Sequence, residues 1–134
     1  MCNGKCIYSI FLHSDPDAPS RKNPVRREFL HWLVVNIKDN DIVSGQTITE
    51  YFGSGPPKDT SKHRYVLLVF KQSARLSLDQ PRISNTNATG RANFNTREFA
   101  KKHNLGNPVA SNFFEAQYDD YTPILHAQLS AKKN

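Results

Sequence analysis

Asp15, Asp17, His31, His63 and Tyr65 are the residues of this chain whose types and spacing best suit chemistry. The two aspartates lie in Asp15-Pro16-Asp17-Ala18-Pro19, and His31 follows at the entrance to an apolar run. A second stretch, Gly53-Ser54-Gly55-Pro56-Pro57, leads in the same way to His63-Arg64-Tyr65 and another apolar run. Proline fixes φ and removes a backbone donor, so each bend is ordered before any ligand arrives. Glycine lets backbone approach a ligand closely and leaves N–H groups to meet an anion. A histidine can donate to a phosphate oxygen, and a neighbouring carboxylate can fix its tautomer. Two such bends meeting over neighbouring strands would form a small anion-binding pocket. Each residue also has a plainer role: Asp-Pro is ordinary turn chemistry, and a lone histidine in an apolar strand is often a core residue. Spacing alone leaves both open.

An enzymatic site drawn from His13, Asp15, Asp17, His31 and His63 would need a metal or an acid–base pair. The sequence has no HExxH, no G-x-S-x-G and no P-loop, and it assigns no metal and no cofactor. The net charge of +6 suits anionic partners. Basic residues are not interleaved with stacking aromatics, which argues against nucleic acid. Cys2 and Cys6 are expected as reduced thiols of a cytoplasmic protein, because the N-terminus shows no cleavage pattern.

The elements that must position these residues are those of one β-rich domain of 134 residues. Strands are predicted at residues 7–12, 29–37, 65–70 and 112–118, with a short strand or turn at 44–51. Asn95-x-x-Glu98 predicts a capped helix ending in Lys101, Lys102 and His103, with Gly106 as its stop. Thr122-Pro123 predicts a second helix with Ile124, Leu125 and Leu129 as its apolar stripe. Residues 15–26, 52–63 and 73–94 are long irregular loops, a length that points to function.

DPDAPSR followed by REFLHWLVVNI, and then GSGPPKDTSKHRYVLLVF, closely resemble the two signature regions of the phosphatidylethanolamine-binding proteins, which include the Raf kinase inhibitor proteins. The likeness runs from the strand before Asp15 to YDDYTPILHAQLS. It implies an all-β sandwich with peripheral helices and a pocket for phosphatidylethanolamine-like head groups or other small anions. Carried over residue by residue, that pocket uses Asp15, Asp17, Ala18, Pro19, His31, Pro56, Pro57, His63 and Tyr65, with a cis bond at Ala18-Pro19 and His126 at its mouth. Binding without catalysis is the implied function, with contact to a membrane surface. Inhibition of a kinase or serine protease through protein contacts is the alternative. The resemblance also implies a domain incomplete at its N-terminus, with apolar strand surface left open. Arg26 and His126 stand where the family commonly carries tyrosine, which changes the pocket rim and leaves its floor alone.

Overall fold

The computed structural model describes residues 6–130. Five antiparallel strands form one open sheet: β1 (Tyr8–Asp15), β2 (Phe29–Lys38), β3 (Gln46–Thr49), β4 (His63–Gln72) and β5 (Ala110–Ala116), in the spatial order β3-β2-β1-β4-β5. The strand leading out of the first bend and the one leading out of the second are therefore not neighbours. β1 lies between them, with His13 opposite Trp32 on β2 and opposite Leu67 on β4. Asp15, at the end of β1, is thus placed between the starts of both.

Side chains alternate across a strand, so β1 divides its residues between two faces. Ile10 and Leu12 join Leu30, Leu33, Val35, Ile48 and Phe70 in the main core. Each such side chain contributes about 1.5–3 kcal/mol when shut away from water. Phe11, His13 and Asp15 belong to the other face, which carries an aromatic group containing Trp32, Tyr51, Tyr65 and Phe114. A register shift between His13 and Ser14 in the β1–β2 ladder bends the strand beside the site.

The core face is covered by Leu76, Leu78 and Phe94 from the long loop and by helix α1 (Thr96–Lys102). The covering layer on this face is loop and helix rather than a second sheet, among the described residues. Asn95 caps α1 by accepting from the Glu98 N–H at 3.0 Å, and Lys101 and Lys102 occupy the last turn. Phe99 and Leu105 anchor this segment in the core; the helix closes at His103, ahead of the Gly106 expected as its stop, which has φ of +70°. Helix α2 (Thr122–Ser130) lies near the two bends. Leu125 is buried, whereas Ile124, expected on the same stripe, is exposed because it lies about 100° around the helix from Leu125. Thr122 stands inside α2, where its hydroxyl accepts from the Asp119 N–H instead of capping the helix.

The all-β architecture with peripheral helices is the one the sequence implies. β5 begins and ends two residues earlier than expected. Its ladder runs from Val69 opposite Ala110 to His63 opposite Ala116, so residues 117–118 pass beyond the start of β4 and have no partner strand. Cys6 is disulfide-bonded, which corrects the expectation of a reduced thiol there. Cys2 lies outside the described residues.

Candidate ligand-binding site

The two bends meet α2 at a cavity of about 250 Å³. Its lining includes Asp15, Ala18, Pro19, His31, Pro57, His63, Tyr65 and His126, together with Arg26, Phe29, Phe52, Gly55, Ala88 and Leu129. Eight of the ten residues expected at the pocket are therefore brought together. Asp17 and Pro56 are buried behind this wall. The volume lies below the 300–1,000 Å³ of pockets that enclose drug-sized ligands, so it suits a head group rather than a long chain. A larger groove of about 780 Å³ runs along the core face beside α1. It contains none of the histidines, and one of its polar groups, the Glu28 carboxylate, is bonded to Thr96.

Asp15 organises one wall. Its Oδ1 accepts from the Asp17 N–H at 2.8 Å, and its Oδ2 lies 2.7 Å from His63 Nδ1. His63 Nε2 is 2.9 Å from Thr60 Oγ1, and that hydroxyl gives its only hydrogen to the Pro57 carbonyl at 2.7 Å. Thr60 must therefore accept, so His63 Nε2 carries a hydrogen. The short contact to Asp15 holds another. The pair carries no net charge whichever partner holds that second proton. Tyr65 donates its hydroxyl to Asp15, and burial together with the Asp15 charge pushes its pKa well up.

His31 forms the opposite wall. Nδ1 donates to the Phe52 carbonyl at 2.6 Å, which fixes the tautomer. Burial draws its pKa down to about 3 against the upward pull of that bond, and the charges of His13, Arg91 and His63 lower it further. The ring is neutral at physiological pH. His13 lies beside it at a ring separation of 5.4 Å, with burial lowering its pKa to about 4 against the pull of Asp15. His13 Nε2 is buried without a hydrogen-bond partner.

Asp17 is fully buried, yet its carboxylate points away from the cavity into arginines. Arg64 meets it with Nη2 at 2.7 Å and Nε at 2.9 Å, while Arg21 and Arg27 approach to 3.6 Å. Burial favours the neutral acid, but the Arg64 side chain and backbone bonds and the charges of Arg64 and Arg21 outweigh it, leaving a pKa of about 2. This clasp ties the first bend to the start of β4. The Ala18-Pro19 bond is cis, as the resemblance implies.

Gly55 is required by close approach: a Cβ there would come within 2.9 Å of Leu125 and 3.3 Å of His126 Nε2. His126 Nε2 donates to the Gly55 carbonyl at 2.7 Å, which fastens α2 to the second bend. Behind His31, Arg91 has no exposed surface and donates to the carbonyls of Leu30, Glu50, Ser84 and Asn87 at 2.7–3.1 Å. Its guanidinium lies 5.7 Å from the Phe52 ring, and burial lowers its pKa to about 10 against the pull of Glu50. Sequence reasoning passed over Arg91, Phe52 and Thr60. The apolar residue inside the long loop before Gly53 was the one available sign, for Phe52.

Among curated proteins, the chain is 48% identical over 119 residues to a Drosophila melanogaster protein named "Putative odorant-binding protein A5". The match covers 89% of this chain and 56% of that relative, so the chain spans about half the relative's length. Among solved structures, CG7054 superimposes with a TM-score of 0.77 at 50% identity, covering 94% of this chain and 71% of that one. A carboxypeptidase Y inhibitor, solved in complex with its cognate proteinase, gives 0.68 at 31% identity, covering 84% and 61%. The sequence profile of the phosphatidylethanolamine-binding protein family matches residues 8–114, a span that holds both bends, both histidines and all five strands but the last two residues of β5. By sequence and fold together, this chain belongs to the phosphatidylethanolamine-binding protein family.

Proposed function

We propose that the cavity binds a small phosphoryl or carboxylate head group, of the size of phosphoethanolamine, without a covalent step. The observation that carries this reading is the charge at its mouth. The Asp15–His63 pair contributes no net charge, so Arg26 leaves the cavity positive within a chain of net charge +6. Phe29, Phe52 and Leu129 offer apolar surface to the carbons that join a head group to the rest of its molecule. No cluster of three metal-ligating side chains occurs among the described residues, and the reading assigns no metal.

Calorimetric titration with phosphoethanolamine tests it. Arg26→Ala, at an exposed position, should weaken binding about tenfold, the effect of removing one ion pair of about 1.4 kcal/mol. His31→Ala with His63→Ala should abolish it. Unchanged affinity in both variants, with folding checked by circular dichroism, would sink the proposal.

A second reading rests on the carboxypeptidase Y inhibitor, whose complex is a precedent for a protease as partner. Inhibition of carboxypeptidase Y by the purified chain tests that reading directly, and a kinase remains the other partner class implied by the resemblance. No helix among the described residues is long and apolar enough to cross a membrane, so contact with lipid is read as peripheral. The disulfide at Cys6 and the relative named for odorant binding favour an oxidising compartment over the cytoplasm expected from sequence.

A further inference from the structure

The side chains around this cavity have already given their hydrogens to the protein. His31 spends Nδ1–H on the Phe52 carbonyl, which can only accept, so its other nitrogen, Nε2, carries a lone pair. His63 is bracketed by Asp15 and Thr60, and Tyr65 donates to Asp15. His126 Nε2 donates to Gly55. What remains on the inner wall is a set of acceptors: His31 Nε2, the Tyr65 oxygen and the Asp15 carboxylate.

The Phe52 carbonyl favours a second proton on the His31 ring, and burial outweighs it. His13 faces it from β1, Tyr65 and His63 from β4, and Arg91 from the loop behind β2. The charges among these are all positive or zero. A doubly charged phosphate would set its own lone pairs against Nε2 and the Tyr65 oxygen. A phosphate bearing one hydrogen would not.

We propose that the cavity selects phosphoryl groups in their monobasic form, with the P–OH donating to His31 Nε2 and the unprotonated oxygens facing Arg26. The inference rests on the anion-binding reading and specifies the protonation state and ester class of the ligand. Soluble phosphomonoesters and the head group of a monoester lipid share this chemistry.

Titration of the whole chain with methyl phosphate and with sulfate at pH 5.5 and pH 8 separates the possibilities. A phosphomonoester loses its second proton near about pH 6, and His31 stays neutral across this range. Methyl phosphate should therefore bind roughly ten- to a hundredfold more weakly at pH 8, and sulfate, which carries no proton at either pH, should bind poorly at both. Methylphosphonate holds its proton to higher pH, so its binding midpoint should move up with it. A midpoint that stays fixed for both ligands would assign the titration to a protein group and overturn the proposal. Equal affinity for sulfate and methyl phosphate would also overturn it while leaving anion binding intact. No binding of either at any pH removes both readings. Phosphatidylcholine vesicles with and without phosphatidic acid, a monoester lipid, identify the source. Capture only by the phosphatidic acid vesicles at pH 5.5 supports a lipid ligand, and soluble binding without capture supports a free monoester.

Discussion

Asp15 and Asp17 sit two residues apart in one proline-framed turn, both shut away from water, and they are neutralised by different means. Asp17 meets the permanent charges of Arg64, Arg21 and Arg27. Asp15 meets a histidine and a tyrosine, partners that reach it through hydrogen bonds and carry no permanent charge. An arginine does not give up its proton in this pH range, so the Asp17 clasp is a fixed strut. The Asp15–His63 contact at 2.7 Å is a single hydrogen bond facing the cavity. The same residue type therefore serves framework in one case and cavity wall in the other, and the choice follows from which of two neighbouring side chains at the start of β4 each carboxylate meets, His63 or Arg64.

The largest effect is expected from breaking the strut. Asp17→Asn removes a fully buried charge and strands the Arg64 fork, which is itself 39% exposed and can recover part of its hydration. Loss of one partner from a buried pair costs about 3–5 kcal/mol, and that exposure places this one near about 3. Urea denaturation would show it, and a loss below about 1 kcal/mol would mean that the clasp is decorative. Asp15→Asn should cost less, about 1–2 kcal/mol, since the amide oxygen can still accept from His63 or Tyr65. Its effect on phosphate affinity should stay below about threefold, because a neutral pair is exchanged for a neutral pair. A tenfold gain in affinity would show that the carboxylate had carried net charge and repelled the ligand.

Acid titration separates the two kinds of group without mutation. His31 and His13 have folded-state pKa values of about 3 and about 4, both below 6.5, chiefly because they are buried. The unfolded chain therefore binds protons first as pH falls, and stability declines from about pH 6.5 down to about pH 4 through His13 and on to about pH 3 through His31. Each histidine contributes a slope of up to about 1.4 kcal/mol per pH unit. Asp17 is lowered from 3.8 to about 2, so the stability it supplies is complete above about pH 4 and is lost between 4 and 2. His13→Asn should flatten the upper limb and leave the lower one unchanged. Equal flattening of both would mean that the two sites are coupled.

Sequence revealed the strands and both bends well because their signals are local. Residues 29–37 and 65–70 are long apolar runs, and Asn95 with Glu98 marks a helix start within four residues. It placed Asp17 in the pocket wall because the spacing of the two aspartates says nothing about which way each carboxylate turns. The arrangement that decides this, β1 inserted between β2 and β4, joins residues almost fifty positions apart, as in Asp17 with Arg64 and Asp15 with His63. Arg91 was illegible for the same reason. Its carbonyl partners at Leu30, Glu50, Ser84 and Asn87 come from separate segments, and carbonyls have no sequence signature at all.

The smallest expected effect on stability is also the sharpest test of the Asp15–His63 pair. Thr60 Oγ1 accepts from His63 Nε2–H because its own hydrogen is committed to Pro57. Thr60→Val keeps the shape and removes that acceptor, leaving the buried Nε2 without a partner at a cost of about 1 kcal/mol. With the acceptor gone, nothing holds a hydrogen on Nε2. The ring can then carry a single hydrogen, on Nδ1 facing Asp15, which leaves the pair with a net negative charge. The cavity would repel a phosphoryl group that it previously admitted, so methyl phosphate should bind several-fold more weakly although Thr60 is not among the cavity-lining residues. Imidazole nitrogen NMR reads the change directly: the Nε2–H resonance of His63 should be present in the parent protein and absent in Thr60→Val. If it persists with affinity unchanged, the proton on Nε2 does not depend on Thr60. The neutrality of the Asp15–His63 pair would then have to come from another partner.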